Sequence, residues 1–141
     1  MTERLRRPTL AVFVDTSALY ALLDRSDDMH AEAATTLPGL RFRAPVTHSY
    51  VVVEAVALTQ VRLGTAAVRR LLDDLLPVIG VHYVDGELHR QGVAALLASG
   101  VRSVSLVDRV SFAFMRMEGI AEAFTFDEHF RREGFAPLGG R

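Results

Sequence analysis

Ala11-Val12-Phe13-Val14-Asp15-Thr16-Ser17-Ala18-Leu19 is the stretch that decides the fold. Four apolar residues rich in β-branched and aromatic types make a short buried strand, and Asp15, Thr16 and Ser17 supply oxygens that cap a helix beginning at Ala18. A strand passing into a helix over three residues is the building unit of an α/β fold, and it leaves the acid at the strand's end. Three more acids punctuate apolar runs: Glu54 within Val51-Val52-Val53-Glu54-Ala55-Val56-Ala57-Leu58, Asp108 after Ser105-Leu106-Val107, and Asp127 after Ala123-Phe124-Thr125-Phe126.

Outward from that stretch the pattern alternates. The first helix spans residues 18–23, and a second, behind Asp27 and Asp28, spans 30–37 and stops at Pro38-Gly39. Residues 40–44 read as a second strand. Pro45 and then Thr47 or Ser49 open a long helix to about Leu63, closed by Gly64. Thr65 caps the next helix, through Leu75 with its limit at Pro77. Residues 78–84 read as a third strand, and Asp85 opens a helix through Leu97 that Gly100 ends. Ser105 or Asp108 starts a helix to about Met117, stopped by Gly119. Residues 123–126 form a fourth strand, 135–138 a short last one, and Gly139-Gly140-Arg141 a tail. Strands separated by helices favour a three-layer α/β/α sandwich around a mostly parallel sheet. Without repeat, linker or low-complexity tract, residues 1–141 read as one domain.

Composition narrows the function. Half of the 141 residues are hydrophobic, enough for a core. No apolar run approaches the ~18 residues of a membrane helix, so no membrane role is expected. Zero cysteines remove disulfides, thiolate metal sites and cysteine nucleophiles, and the expectation is a cytoplasmic protein. The formal net charge of −1 argues against wrapping duplex nucleic acid by bulk electrostatics. All 16 basic positions are Arg. That suits phosphate recognition, and it also follows from codon bias in a GC-rich genome.

In open α/β sheets ligands bind beyond the carboxyl ends of the strands, where Asp15 and Asp127 are placed. Glu54 has Tyr50, Val51, Ala57 and Leu58 as helical neighbours, which predicts a face directed to the core. A lone buried carboxylate costs several kcal/mol unless paired or bound to metal. If the four converge at separations near 5 Å, each pair repels by roughly 3 kcal/mol at an effective dielectric of ~20. A proton or cation must relieve that. Oxygen donors without cysteine point to a hard ion, Mg²⁺ or Mn²⁺, able to acidify water for phosphodiester hydrolysis.

Val14-Asp15-Thr16-Ser17-Ala18-Leu19, Glu54, Ser105-Leu106-Val107-Asp108 followed by Ser111-Phe112 and Met115, and Thr125-Phe126-Asp127-Glu128-His129-Phe130 together resemble the PIN-domain nucleases. Size and motif order are similar to the VapC-type ribonuclease toxins of bacterial toxin–antitoxin pairs. The resemblance spans roughly residues 12–138. It implies a PIN-like fold, an RNA endonuclease dependent on Mg²⁺ or Mn²⁺, a homodimer, and inhibition by a small cognate antitoxin. Asp15, Glu54, Asp108 and Asp127 match the family's four acids in order. Asp15, Asp108 and Asp127 would be the direct metal ligands, with Glu54 acting through water or as a weaker ligand. Thr16 and Ser17 match the hydroxyls expected to orient the first carboxylate. Residues 1–9, with Arg4, Arg6 and Arg7, depart from the pattern and read as a flexible tail, an RNA-contacting arm or an early start codon.

Duller roles are open for each residue. Asp15, Asp108 and Asp127 could be caps or turn residues, and Glu54 could pair with a core Arg. Asp24, Asp27 and Asp28 read as surface or capping residues, Arg62, Arg69 and Arg70 as a solvated helix face, and Arg131 and Arg132 stand close enough to Asp127 to reach a phosphate. His129 is expected to order its loop rather than bind metal. The five histidines lack zinc spacing, no nucleophile elbow or P-loop occurs, and receiver or phosphatase chemistry lacks its lysine. The alternative to a nuclease is a catalytically weak PIN-type binding module that docks a protein or RNA.

Overall fold

The computed structural model describes residues 10–139, so the expectations for residues 1–9 and for Gly140 and Arg141 lie outside the described residues. β1 (Ala11–Val14) leads into α1 (Thr16–Leu23), α2 (His30–Thr36) and a 3-10 turn (Leu37–Phe42). β2 (Ala44–His48) runs directly into α3 (Ser49–Leu63), and α4 (Thr65–Arg70) continues through a widened turn (Leu71–Leu75) and a 3-10 turn (Leu76–Val78) to β3 (Gly80–His82). α5 (Gly86–Ser99), α6 (Leu106–Glu118), β4 (Glu122–Phe124), α7 (Glu128–Arg132) and β5 (Ala136–Leu138) complete the order. The sheet runs β3-β2-β1-β4-β5, with every pairing parallel.

That order makes the boundary between β1 and β4 the point at which the chain turns from building one side of the sheet to building the other. Loops diverge there and open a crevice at the carboxyl edge. Side chains alternate across the sheet. Phe13 faces Phe114 of α6 and Phe130 of α7, with ring centroids 6.0 and 5.9 Å away. Val14 and Phe124 face the opposite side, where they line an apolar cavity with Leu19, Leu40 and Leu75. Both faces are covered, as the α/β/α expectation requires. Each fully buried phenylalanine contributes roughly 1.5–3 kcal/mol of transfer free energy, and Phe13, Phe112, Phe124 and Phe130 are all in this class.

The second strand differs from its reading. Residues 40–42 belong to a 3-10 turn, and the strand is Ala44–His48 with Pro45 inside it. Ala44 N–H donates to Leu10 O on the β1 side, so Pro45 faces β3, whose pairing begins only at Val46↔Gly80. Its missing N–H therefore costs no ladder bond. The third and fourth strands are shorter than expected, and Gly64 rather than Thr65 precedes α4.

Gly92 of α5 lies directly against Val110 of α6. A Cβ at Gly92 would stand 2.5 Å from Val110 Cγ2 and 3.4 Å from Val110 N. Gly92→Ala is expected to destabilise the protein by about 1–3 kcal/mol despite alanine's better helix propensity. A urea midpoint equal to or above that of the wild type would mean that the helices separate without cost.

Candidate active site

Asp15 follows the last residue of β1 and caps α1. The residue is 4% exposed, and its side-chain hydrogen bonds converge on Oδ2: Ser17 Oγ donates at 2.8 Å, Thr125 Oγ1 at 3.0 Å and Ser17 N–H at 3.4 Å. Those hydroxyls accept in turn, Ser17 Oγ from Phe126 N–H at 2.9 Å and Thr125 Oγ1 from Asp127 N–H at 3.0 Å. Asp15 N–H donates to Phe124 O at 3.1 Å. The ends of β1 and β4 are thus joined through one carboxylate oxygen. Burial raises the Asp15 pKa to about 7, against the lowering by Ser17 and Thr125, and the charges of Asp108 and Asp127 raise it further.

Asp108 occupies the first turn of α6 in a reciprocal cap: its N–H donates to Ser105 Oγ at 3.1 Å and its Oδ2 accepts from Ser105 N–H at 3.0 Å. Its pKa is raised by burial first, with further increases from Asp127 and Glu54. Asp127 caps α7, its Oδ1 accepting from His129 N–H at 2.9 Å. One ligand atom from each of Asp108, Asp127 and His129 lies within 4.8 Å of the others. His129 Nε2 contacts Ser103 Oγ at 3.2 Å, but the expectation that the ring takes no part in a metal site is corrected, since it stands among groups that could hold one. Its Nδ1 is 2.9 Å from Asp127 Oδ1 but out of line for a hydrogen bond, and is buried without another partner among the described residues. A ring nitrogen with no hydrogen bond, this close to one of two gathered carboxylates, suits a cation.

Glu54 is a correction. α3 buries Val51, Ala55 and Thr59, and Glu54 lies half-buried on the flank rather than in the core. Its charge still reaches Asp108. Thr16 also differs from its reading: its Oγ1 is buried without a partner among the described residues, and Thr125 takes the orienting role beside Ser17. Only folding brings Thr125 there, 110 residues from Asp15. Asp24 accepts from Tyr20 Oη and from Ser26. Arg62 lies over the Tyr20 ring at 5.3 Å, and Arg70 donates to Leu23 O. Arg131 pairs with Glu128 and lines a cleft of about 350 Å³ that also includes Thr125, Phe126 and Asp127.

The model of the PIN domain matches residues 12–136. The chain belongs to the PIN-domain family. It is 35% identical over 128 residues to the 23S rRNA-specific endonuclease VapC20 of Mycobacterium tuberculosis, covering 90% of this chain and 97% of that protein. The crystal structure of VapC20, described as a sarcin–ricin loop cleaving toxin, superposes with a TM-score of 0.82 at 32% identity, covering 89% of this chain and 96% of that one. VapBC2 from Rickettsia felis, solved with a DNA fragment from its promoter, shares the fold at a TM-score of 0.67 and 13% identity, over 90% and 96% of the two chains. Among the described residues of this PIN domain no helix is long and apolar enough to cross a membrane.

The buried acid gives the PIN domain a pH signature. Asp15 holds its proton to about pH 7 when folded and has an ordinary value of 3.8, so between these values folding takes up a proton. Its contribution to stability therefore falls as pH rises through that window, by up to about 4 kcal/mol. His48 has the opposite sign. Burial, then the charge of His82, lowers its pKa from 6.5 to about 4, so the stability it contributes above 6.5 is lost as pH falls toward 4. Comparing Asp15→Asn with the wild type in urea, without metal, cancels the His48 contribution. The variant is expected to gain relative stability steadily from pH 4 to 7. A difference that stays constant across that range would indicate an Asp15 that ionises normally in the folded protein.

Proposed function

We propose that the chain is a metal-dependent endoribonuclease, the toxin of a toxin–antitoxin pair, with Asp15, Glu54, Asp108 and Asp127 as its catalytic acids. The single PIN domain of residues 1–141 carries the whole activity in this reading. The observation that carries it is the meeting of Asp108, Asp127 and His129 beside a buried Asp15 whose carboxyl feels both other acids. Such a group of like charges favours a bound cation over three separate ionised carboxylates.

Asp15, Asp108 and Asp127 would hold Mg²⁺ or Mn²⁺, hard ions that suit carboxylate oxygens. When bound, the cation neutralises charge at the scissile phosphate and makes water a better nucleophile. The protein's own part is to hold the carboxylates in register. Ser17 and Thr125 fix Asp15 through Oδ2 and Ser105 fixes Asp108, while Glu54 would act through bound water or as a weaker ligand. Water adds to phosphorus, the bond to the 3′ oxygen breaks, and that oxygen takes a proton, leaving a 3′-hydroxyl and a 5′-phosphate. The RNA named for VapC20 makes the sarcin–ricin loop of 23S rRNA the first substrate to examine. A small antitoxin would block the acidic cleft with an Arg side chain. Val53, Ala57 and Val61, exposed at helical spacing on α3, suit contact with a second copy in a homodimer.

Cleavage of a sarcin–ricin loop oligonucleotide is expected with Mn²⁺ or Mg²⁺ and to stop in EDTA. Asp15→Asn and Asp108→Asn should each lower the rate by at least about 10³-fold while remaining folded, and Glu118→Gln, exposed near the far end of α6, should leave it unchanged. Cleavage that survives EDTA would refute the metal-dependent mechanism. Absence of cleavage of any tested RNA, with antitoxin binding intact, would favour the binding module.

Because Asp15 must release its proton to a cation, Mn²⁺ affinity measured by calorimetry is expected to rise with pH, approaching tenfold per unit below about pH 7, and to flatten above it. A pH-independent affinity between 5 and 7 would remove Asp15 from the ligand set.

A further inference from the structure

His48 is a fully buried ionisable side chain that the proposed chemistry does not use. It ends β2, and aromatic rings confine it: Phe13 stacks on it with centroids 5.5 Å apart, while Tyr50 and Phe114 meet it edge-on at 6.1 and 6.0 Å. Its two nitrogens serve different helices. Nδ1 accepts from Tyr50 N–H at 3.2 Å and Val51 N–H at 3.4 Å in the first turn of α3, and Nε2 lies 2.8 Å from Ser111 Oγ on α6.

The proton count fixes the tautomer. Ser111 spends its one hydroxyl proton on Val107 O at 2.8 Å, so the hydrogen between Ser111 and His48 must be on Nε2, while Nδ1 keeps its lone pair for the amides. A doubly protonated ring would lose the α3 cap. Burial and the charge of His82 hold the pKa near 4, which keeps this arrangement through the neutral range.

These bonds end on the elements that carry the acids. Ser111 lies one helical turn after Asp108, and Glu54 lies in the second turn of the helix His48 caps. Thr47, beside His48, donates to Val14 O at 2.8 Å, the carbonyl just before Asp15. We infer that His48 is a positioning residue of the acidic site, its imidazole joining α3 to α6 and so fixing Asp108 relative to Glu54. Its effect on turnover rests on the nuclease reading above, but its effect on geometry does not.

Three variants test this. Ser111→Ala removes the acceptor with little change of volume. His48→Asn keeps an oxygen that caps α3 but is too short to reach Ser111, and His48→Gln carries an amide nitrogen to the Nε2 position. Ser111→Ala and His48→Asn are expected to weaken Mn²⁺ binding by about tenfold or more and to lower kcat by a similar factor. KM for the RNA should not change, and His48→Gln should restore most of both losses. Crystal structures of Ser111→Ala and His48→Asn grown without metal should place the Asp108 carboxylate beyond the 4.8 Å that now gathers it with Asp127 and His129. That arm needs neither metal nor RNA, so it decides the inference even if the chain cleaves nothing. Variants that melt earlier yet keep the Asp108 position, the Mn²⁺ affinity and kcat would reduce His48 to a helix cap and overturn it.

Discussion

A carboxylate at the buried boundary between β1 and β4 is the constraint on which the rest of this molecule depends. Asp15 is largely withdrawn from solvent there, and its Oδ2 is met by Ser17 and Thr125, with both hydroxyls held by backbone N–H groups of the loop after β4. Chains of hydrogen bonds polarise one another in a low-dielectric interior. The result fixes the Asp127 loop against the start of α1. It holds the acids close enough for the charges of Asp108 and Asp127 to raise the Asp15 pKa.

Capping and cation binding are compatible here. The cap bonds of Asp15 and Asp108 fall on Oδ2, and that of Asp127 on Oδ1. A carboxylate has two oxygens, so each cap leaves one for another partner. Each acid also stands at the amino end of a helix, whose dipole favours negative charge. That partly offsets the cost of gathering three carboxylates. The duller reading of each acid therefore describes how it is positioned, and it is compatible with the proposed metal site.

Much of this was legible in the chain because its signals are local. Gly64, Gly100 and Gly119 end helices where the sequence placed the stops, and the apolar runs before Asp15 and Asp127 form β1 and β4. Two features misled. Pro45 reads as a strand breaker, but it faces β3 one residue before that pairing begins, so no ladder bond is lost. α3 is apolar nearly all round, with Val53 and Val61 exposed, so periodicity could not tell which stripe faces the core and misplaced Glu54. The roles of Thr125, His129 and the His48–Ser111 bond depend on contacts made by folding, and no spacing in the sequence reveals them.

Anomalous scattering from a crystal soaked in Mn²⁺ tests the central claim most directly. The expected result is a manganese peak within about 2.0–2.6 Å of carboxylate oxygens of Asp15, Asp108 and Asp127. A well-occupied peak elsewhere on the molecule, with those acids left empty in crystals whose dissolved protein still cleaves RNA, would contradict it.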